Sequence, residues 1–138
     1  GIEIYIMALP SDKDAMELAK FENREIYESN GGNAAASDAK TEMLLHILGD
    51  MQQNAKITES MSFAEVLFQQ GKILGLPMRR VAQAPFFVLR GAGMPSVLVE
   101  TGFLTEKSEA AMLRTPGYQK KIAQALGEGI LRFIEKTR

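Results

Sequence analysis

The sequence predicts an α/β fold, a small mixed sheet with helices packed on both faces. Three observations carry that prediction. The segments Gly1-Ile2-Glu3-Ile4-Tyr5-Ile6-Met7-Ala8-Leu9 and Pro95-Ser96-Val97-Leu98-Val99-Glu100 are β-branched and partly alternating, as strands are. Between and after them, apolar residues return at the three- and four-residue spacing of amphipathic helices. A chain of 138 residues with 46% hydrophobic and 24% charged residues has the composition of one globular domain, residues 1–138, with its own core.

The elements follow in order. Pro10 closes the first strand, which sits at a sheet edge or belongs to a larger sheet. Ser11 caps the first helix, with Asp12 and Asp14 in the turn where the helix dipole favours anions. That helix stops near Asn30-Gly31-Gly32. Residues 30–37 read as a loop, and Asp38 caps a second helix with the apolar stripe Met43, Leu44, Ile47, Leu48 and Met51. After a polar stretch from Gln52 to Glu59, Ser60 or Ser62 opens a third helix that ends around Gly71 to Pro77. Phe86-Phe87-Val88-Leu89 reads as a short strand. The run from Pro95 to Glu100 reads as a second one, apolar enough to be central. Ser108, or Thr105, caps a short helix ending near Leu113-Arg114. Thr115-Pro116 then starts the last helix, with Ile122, Leu126, Ile130, Phe133 and Ile134 on one face.

Charge and composition exclude several functions. With 16 Lys+Arg against 17 Asp+Glu the chain lacks the basic excess of a nucleic-acid binder. No apolar run reaches the roughly 18 residues of a membrane span, and the first residues lack the pattern of a secretory signal. With no cysteine and one histidine, a site of Cys ligands or of two His ligands cannot be built from this chain alone.

Glu100 is the most informative residue. A carboxylate at the carboxyl end of an apolar strand lies where open α/β sheets place their active sites, and partial burial suits it to moving protons. The plain alternative is a strand-end carboxylate that caps the next helix or pairs with Arg90. His46, on a helix with Glu42 and Asp50 four residues to either side, reads as a half-buried structural histidine; a metal site shared between chains around it is the weaker reading. Gly91-Ala92-Gly93 precedes a strand rather than opening a helix, so it is a tight turn and not a phosphate loop.

The stretch Ala84-Pro85-Phe86-Phe87-Val88-Leu89-Arg90-Gly91-Ala92-Gly93-Met94-Pro95-Ser96-Val97-Leu98-Val99-Glu100-Thr101-Gly102-Phe103-Leu104 resembles the C-terminal signature of zinc-dependent N-acetylmuramoyl-L-alanine amidases. The likeness continues through Glu109, Leu113, Tyr118-Gln119 and Ile122 to Ile130. Upstream it includes Gly1 to Tyr5, Ser11-Asp12, Leu18-Ala19, Glu22-Asn23, Leu44 to Asp50 and Glu59-Ser60. The resemblance implies an enzyme that cleaves the amide between the lactyl group of N-acetylmuramic acid and the L-alanine of the peptidoglycan stem. Glu100 matches the glutamate that shuttles the proton, and Thr101, Gly102 and Phe103 match the substrate-binding rim beside it.

The family's zinc ligands, two histidines and a glutamate, precede the segment matching Gly1, so the resemblance places no metal ligand in residues 1–138. It implies a C-terminal portion of the catalytic domain, inactive as an isolated chain. It also implies a periplasmic or extracellular setting, peptidoglycan as partner, and an activator protein acting on residues 34–60 as a regulatory helical insert, with Glu42 or Glu59 as the plugging carboxylate; the plain alternative for that segment is a helix packed on the sheet through Leu44, Ile47 and Leu48. The alternative function is an inactive amidase-like module that binds peptidoglycan or a protein partner.

Overall fold

The structure is a computed structural model that describes residues 1–51 and 55–138. Strand β1 (Ile2–Met7) is followed by helices α1 (Lys13–Ser29), α2 (Ala34–Asp50) and α3 (Ala55–Ile73). Strand β2 (Met78–Ala84), a 3-10 turn (Phe87–Leu89) and strand β3 (Leu98–Glu100) come next. Helices α4 (Lys107–Leu113) and α5 (Pro116–Thr137) complete the chain.

The sheet order is β2-β1-β3. Strand β3 runs antiparallel to β1, with Glu3 opposite Glu100, Ile4 opposite Val99 and Tyr5 opposite Leu98. Beside β2 the order is parallel: the Ile2 N–H donates to the Pro77 carbonyl at 2.8 Å and the Ala8 N–H to the Ala84 carbonyl at 3.3 Å. The sheet is therefore mixed, and the α/β class expected from the sequence is the one observed.

The central strand is β1, whose residues 2–6 are all buried, and not the run ending in Glu100. That run is shorter than expected because Pro95 has no N–H and the Ser96 N–H donates to the Ser60 hydroxyl at 3.0 Å, so only Leu98–Glu100 join the ladder. Phe86 to Leu89 do not form a strand. Phe86 precedes the 3-10 turn, and the ladder is made instead by Met78–Ala84. Helix caps also differ. The Ser11 hydroxyl accepts the Gln83 N–H, leaving Asp12 to cap α1 by accepting from Ala15 N–H at 2.8 Å. Asn33, not Asp38, caps α2, so residues 34–37 are helical rather than loop. Helix α3 is already formed at Ala55, ahead of Ser60 and Ser62, and part of the expected polar stretch, residues 52–54, lies outside the described residues. Glu106 occupies the cap position of α4.

The chain divides into two compact units, the boundaries falling within β1, α3 and β2 and at the start of β3. The first comprises Gly1–Tyr5, Met61–Val81 and Leu98–Arg138. Its core joins Ile2, Leu76, Ile122 and Ala125, with Val99, Leu113 and Leu126 packed against them. Helix α5 buries Ile122, Ala125, Gly129 and Phe133. This face is turned from the expected stripe, and Ile130 and Ile134 are exposed. Gly129 explains the turn: a Cβ there would lie 2.6 Å from Leu67, so the absent side chain lets α3 approach. The Phe63 and Phe133 rings meet at 4.8 Å along the same seam.

The second unit comprises Ile6–Ser60 and Ala82–Val97. It is organised by Asn23, fully buried on α1. Its amide donates to Thr41 of α2 at 3.0 Å and to the Pro85 carbonyl at 2.9 Å, and its carbonyl accepts the Phe87 N–H at 2.8 Å. One side chain thus ties two helices to the 3-10 turn.

Candidate active site at the end of strand β3

Period-2 alternation and the β1–β3 register place Glu3, Tyr5, Leu98 and Glu100 on one face of the sheet, with Ile4 and Val99 on the other. The Ile face continues into the hydrophobic core, whereas the Glu face carries charge. Glu100 ends β3 and is half-buried. It is not the cap of the helix beyond it, because Glu106 takes that position. Thr101, Gly102 and Phe103 follow, each half-buried.

Two features fix this rim. Gly102 has φ +154°, a backbone region that L side chains avoid, and a Cβ there would lie 3.2 Å from Leu113 Cδ1. The Phe103 N–H donates to Glu109 Oε2 of α4 at 3.3 Å.

Opposite Glu100, Glu3 is 2% exposed and fully engaged. The Tyr5 hydroxyl donates to its Oε2, Arg79 lies 3.0 Å from its Oε1, and Arg80 Nε lies 3.6 Å away. Arg80 also donates to the Tyr5 hydroxyl at 3.1 Å, its guanidinium carbon 5.7 Å from the centre of the Tyr5 ring. Burial, and then the bond to Glu3, pushes the Tyr5 hydroxyl up to about 12, so at neutral pH it is a donor. Sequence reading missed this network. Its signals were a glutamate inside the apolar run Ile2-Glu3-Ile4-Tyr5-Ile6 and the doublet Arg79-Arg80.

The remaining candidates lie in the other unit. Glu42 on α2 and Glu59 on α3 are exposed. His46 is exposed as well, not half-buried as expected. Among the described residues no three His, Cys, Asp or Glu come together as a metal site.

The family profile described as N-acetylmuramoyl-L-alanine amidase matches residues 1–132. The chain belongs to this family. Among curated amidases it is similar to N-acetylmuramoyl-L-alanine amidase AmiA of Escherichia coli, at 32% identity over 131 residues, 94% of this chain and 45% of that protein. It is also 32% identical to the amidase LytC of Bacillus subtilis, over 86% of this chain and 27% of LytC. The chain thus spans about half the length, or less, of these relatives. Among solved structures, an amidase of Clostridium difficile 630 superposes with a TM-score of 0.57 at 19% identity, over 98% of this chain and 48% of that one. The CwlD amidase of Clostridioides difficile, solved in complex with the GerS lipoprotein, superposes with a TM-score of 0.52 at 20% identity, over 94% of this chain and 91% of that one. These likenesses establish an amidase fold.

Proposed function

We propose that this chain is the C-terminal portion of a peptidoglycan amidase domain, working on the envelope side of the membrane and carrying the proton shuttle of the reaction. The bond cut is the amide between the lactyl group of N-acetylmuramic acid and L-alanine. Glu100 accepts the proton of the attacking water and delivers it to the leaving alanine nitrogen, which departs as an amine. Thr101, Gly102 and Phe103 line the rim that holds the stem peptide. The observation that carries this reading is the position of Glu100, a half-buried carboxylate at a strand end followed by a rim locked through Gly102 and Glu109.

Zinc is the cofactor this family resemblance implies, polarising the scissile carbonyl and acidifying its water. The residues present do not form its site: among those described, no three potential ligands converge. The ligands that the resemblance implies are proposed to lie on polypeptide outside residues 1–138. An activator protein acting on residues 34–60 belongs to the same proposal, with Glu42 or Glu59 as the plugging carboxylate. The exposed Met43, Ile47 and Met51 on or just after α2 favour a contact there. No helix of the described residues is long and apolar enough to cross a membrane.

The test is Glu100→Gln in the enzyme extended to contain the zinc ligands, assayed for release of the stem peptide from muropeptides. A fall of roughly 10²–10⁴-fold in kcat with the zinc content unchanged is expected, the contribution of one well-placed acid/base group. Near-normal turnover overturns the assignment. Binding of peptidoglycan without hydrolysis by the unsubstituted extended protein would establish the binding-module reading instead.

A further inference from the structure

The second unit contains a cavity of about 290 Å³ that the proton-shuttle reading does not use. Its walls include Leu44 and Ile47 of α2, Ile57 of α3, and Met51 and Met94. Native interiors leave few voids larger than a water, and an apolar cavity with a few polar groups is the usual form of a ligand site. Two cations, Lys56 and Arg90, line this one, and no acidic residue among those described does, although the chain carries 17. Arg90 makes no ion pair with a described residue. Its guanidinium carbon lies 5.7 Å from the centre of the Phe87 ring, a contact that holds the group in place without neutralising it. Ser60, 6% exposed, also lines the cavity, and its oxygen accepts the Ser96 N–H at 3.0 Å. Among the described residues nothing accepts the Ser60 hydroxyl proton, so a buried donor is left for what enters.

We propose that this cavity docks a partner protein through a short segment in which a carboxylate adjoins two leucine-sized side chains. Sign and size choose that occupant. A lining with two cations and no acid selects an anion, and the planar fork of Arg90 matches a carboxylate. At the roughly 30 Å³ that one water takes in the liquid, the cavity holds about ten non-hydrogen atoms. Two leucine-sized side chains fill that space, whereas a long acyl chain does not enter it. A sugar ring would set its hydroxyls against apolar walls without partners. The rim is suited to a protein surface as well: Ile47, Met51 and Met94 are 47%, 43% and 68% exposed, and methionine adapts its shape to varied apolar partners. The site goes beyond the activator reading of residues 34–60. It takes Arg90 and Met94 from the segment after the 3-10 turn and needs no plugging carboxylate.

The experiment uses this 138-residue chain and reads binding, not turnover. The methyl resonances of Met51 and Met94 are followed by NMR, with Met112 of α4, exposed but outside the cavity, as the control. Three probes are added: the capped peptide acetyl-Leu-Leu-Glu-amide, its counterpart ending in Gln, and octanoate. The Glu peptide is expected to shift Met51 and Met94 with a Kd of about 1 mM, and the Gln peptide to bind at least about tenfold more weakly. Octanoate should bind more weakly than the Glu peptide. Arg90→Gln should bring the Glu peptide down to the level of the Gln peptide, and Ile47→Glu, which puts an acid on the wall, should abolish binding of both. Both substituted side chains are exposed, and unchanged Met112 resonances check that each variant folds. Equal binding of the two peptides overturns the proposal, as do methyls unmoved up to about 20 mM or an equal shift at Met112. Octanoate binding more tightly than the Glu peptide overturns it too, by assigning the cavity to an acyl carboxylate instead of a protein segment.

Discussion

Glu3 of β1 stands directly opposite Glu100 of β3, two carboxylates on one face of an antiparallel pair. Like charges in that relation destabilise a sheet. The arginines at positions 79 and 80, with the Tyr5 hydroxyl, supply the counterweight on the Glu3 side. Replacing Glu3 by Gln should therefore lower stability even though it removes a repulsion. The half-buried Arg80 would lose its ion pair, and the loss should be about 2 kcal/mol in chemical denaturation. Full stability in Glu3→Gln would show that the cluster contributes nothing to the fold.

Tyr5 gives the chain a defined alkaline limit. Its pKa rises from 10.0 to about 12 on folding, so the native state holds its proton more tightly than the unfolded chain does. The stability this provides is fully present below pH 10 and is lost as the pH rises towards 12. Two pKa units correspond to roughly 2–3 kcal/mol. Absorbance at 295 nm should show Tyr5 ionising last or together with global unfolding, and the alkaline loss of stability should shrink in Tyr5→Phe.

Asn23 is a fully buried polar side chain on which the second unit depends. Asn23→Ala removes two donors and one acceptor from a site with no access to water, leaving the Phe87 N–H and the Pro85 carbonyl unpaired. Each orphaned group costs about 1–3 kcal/mol, so a loss of roughly 3 kcal/mol is expected. Hydrogen exchange at the Phe87 amide should accelerate more than at amides of α5. A change below about 1 kcal/mol would mean that the α1–α2 packing holds the 3-10 turn without it.

These residues also mark where sequence reading succeeds. Glu100 was legible because an apolar strand ending in a carboxylate is a pattern of position and composition, both local. Strand β2 was not, since Met78-Arg79-Arg80-Val81-Ala82-Gln83-Ala84 contains one β-branched residue and is made a strand by its pairing with β1. Phe86-Phe87-Val88-Leu89 erred the other way. Its apolar run reports burial, but the Phe87 N–H goes to Asn23, sixty-four residues earlier in the chain, and no local rule anticipates that partner. The face of α5 was displaced for the same kind of reason. Gly129 fixes which side α3 approaches, and a hydrophobicity pattern gives an absent side chain no weight.

Two glycines separate a conformational requirement from mere tolerance. Gly102 combines φ +154° with a Cβ position 3.2 Å from Leu113 Cδ1, whereas Gly127 on α5 has a negative φ and nothing within 4 Å of a built Cβ. Gly102→Ala must accept strain of roughly 1–3 kcal/mol or shift the backbone between Glu100 and the Glu109 anchor at Phe103. Gly127→Ala gains helix propensity at no steric cost and should stabilise by about 0.5–1 kcal/mol. Paired thermal melts should move in opposite directions. In the extended enzyme Gly102→Ala should also reduce kcat, because the residues it displaces are those beside the proton shuttle, while Gly127→Ala leaves turnover unchanged. If both substitutions raise the melting temperature, the rim after Glu100 is not held by its glycine, and the geometry assigned to Thr101, Gly102 and Phe103 has to be given up.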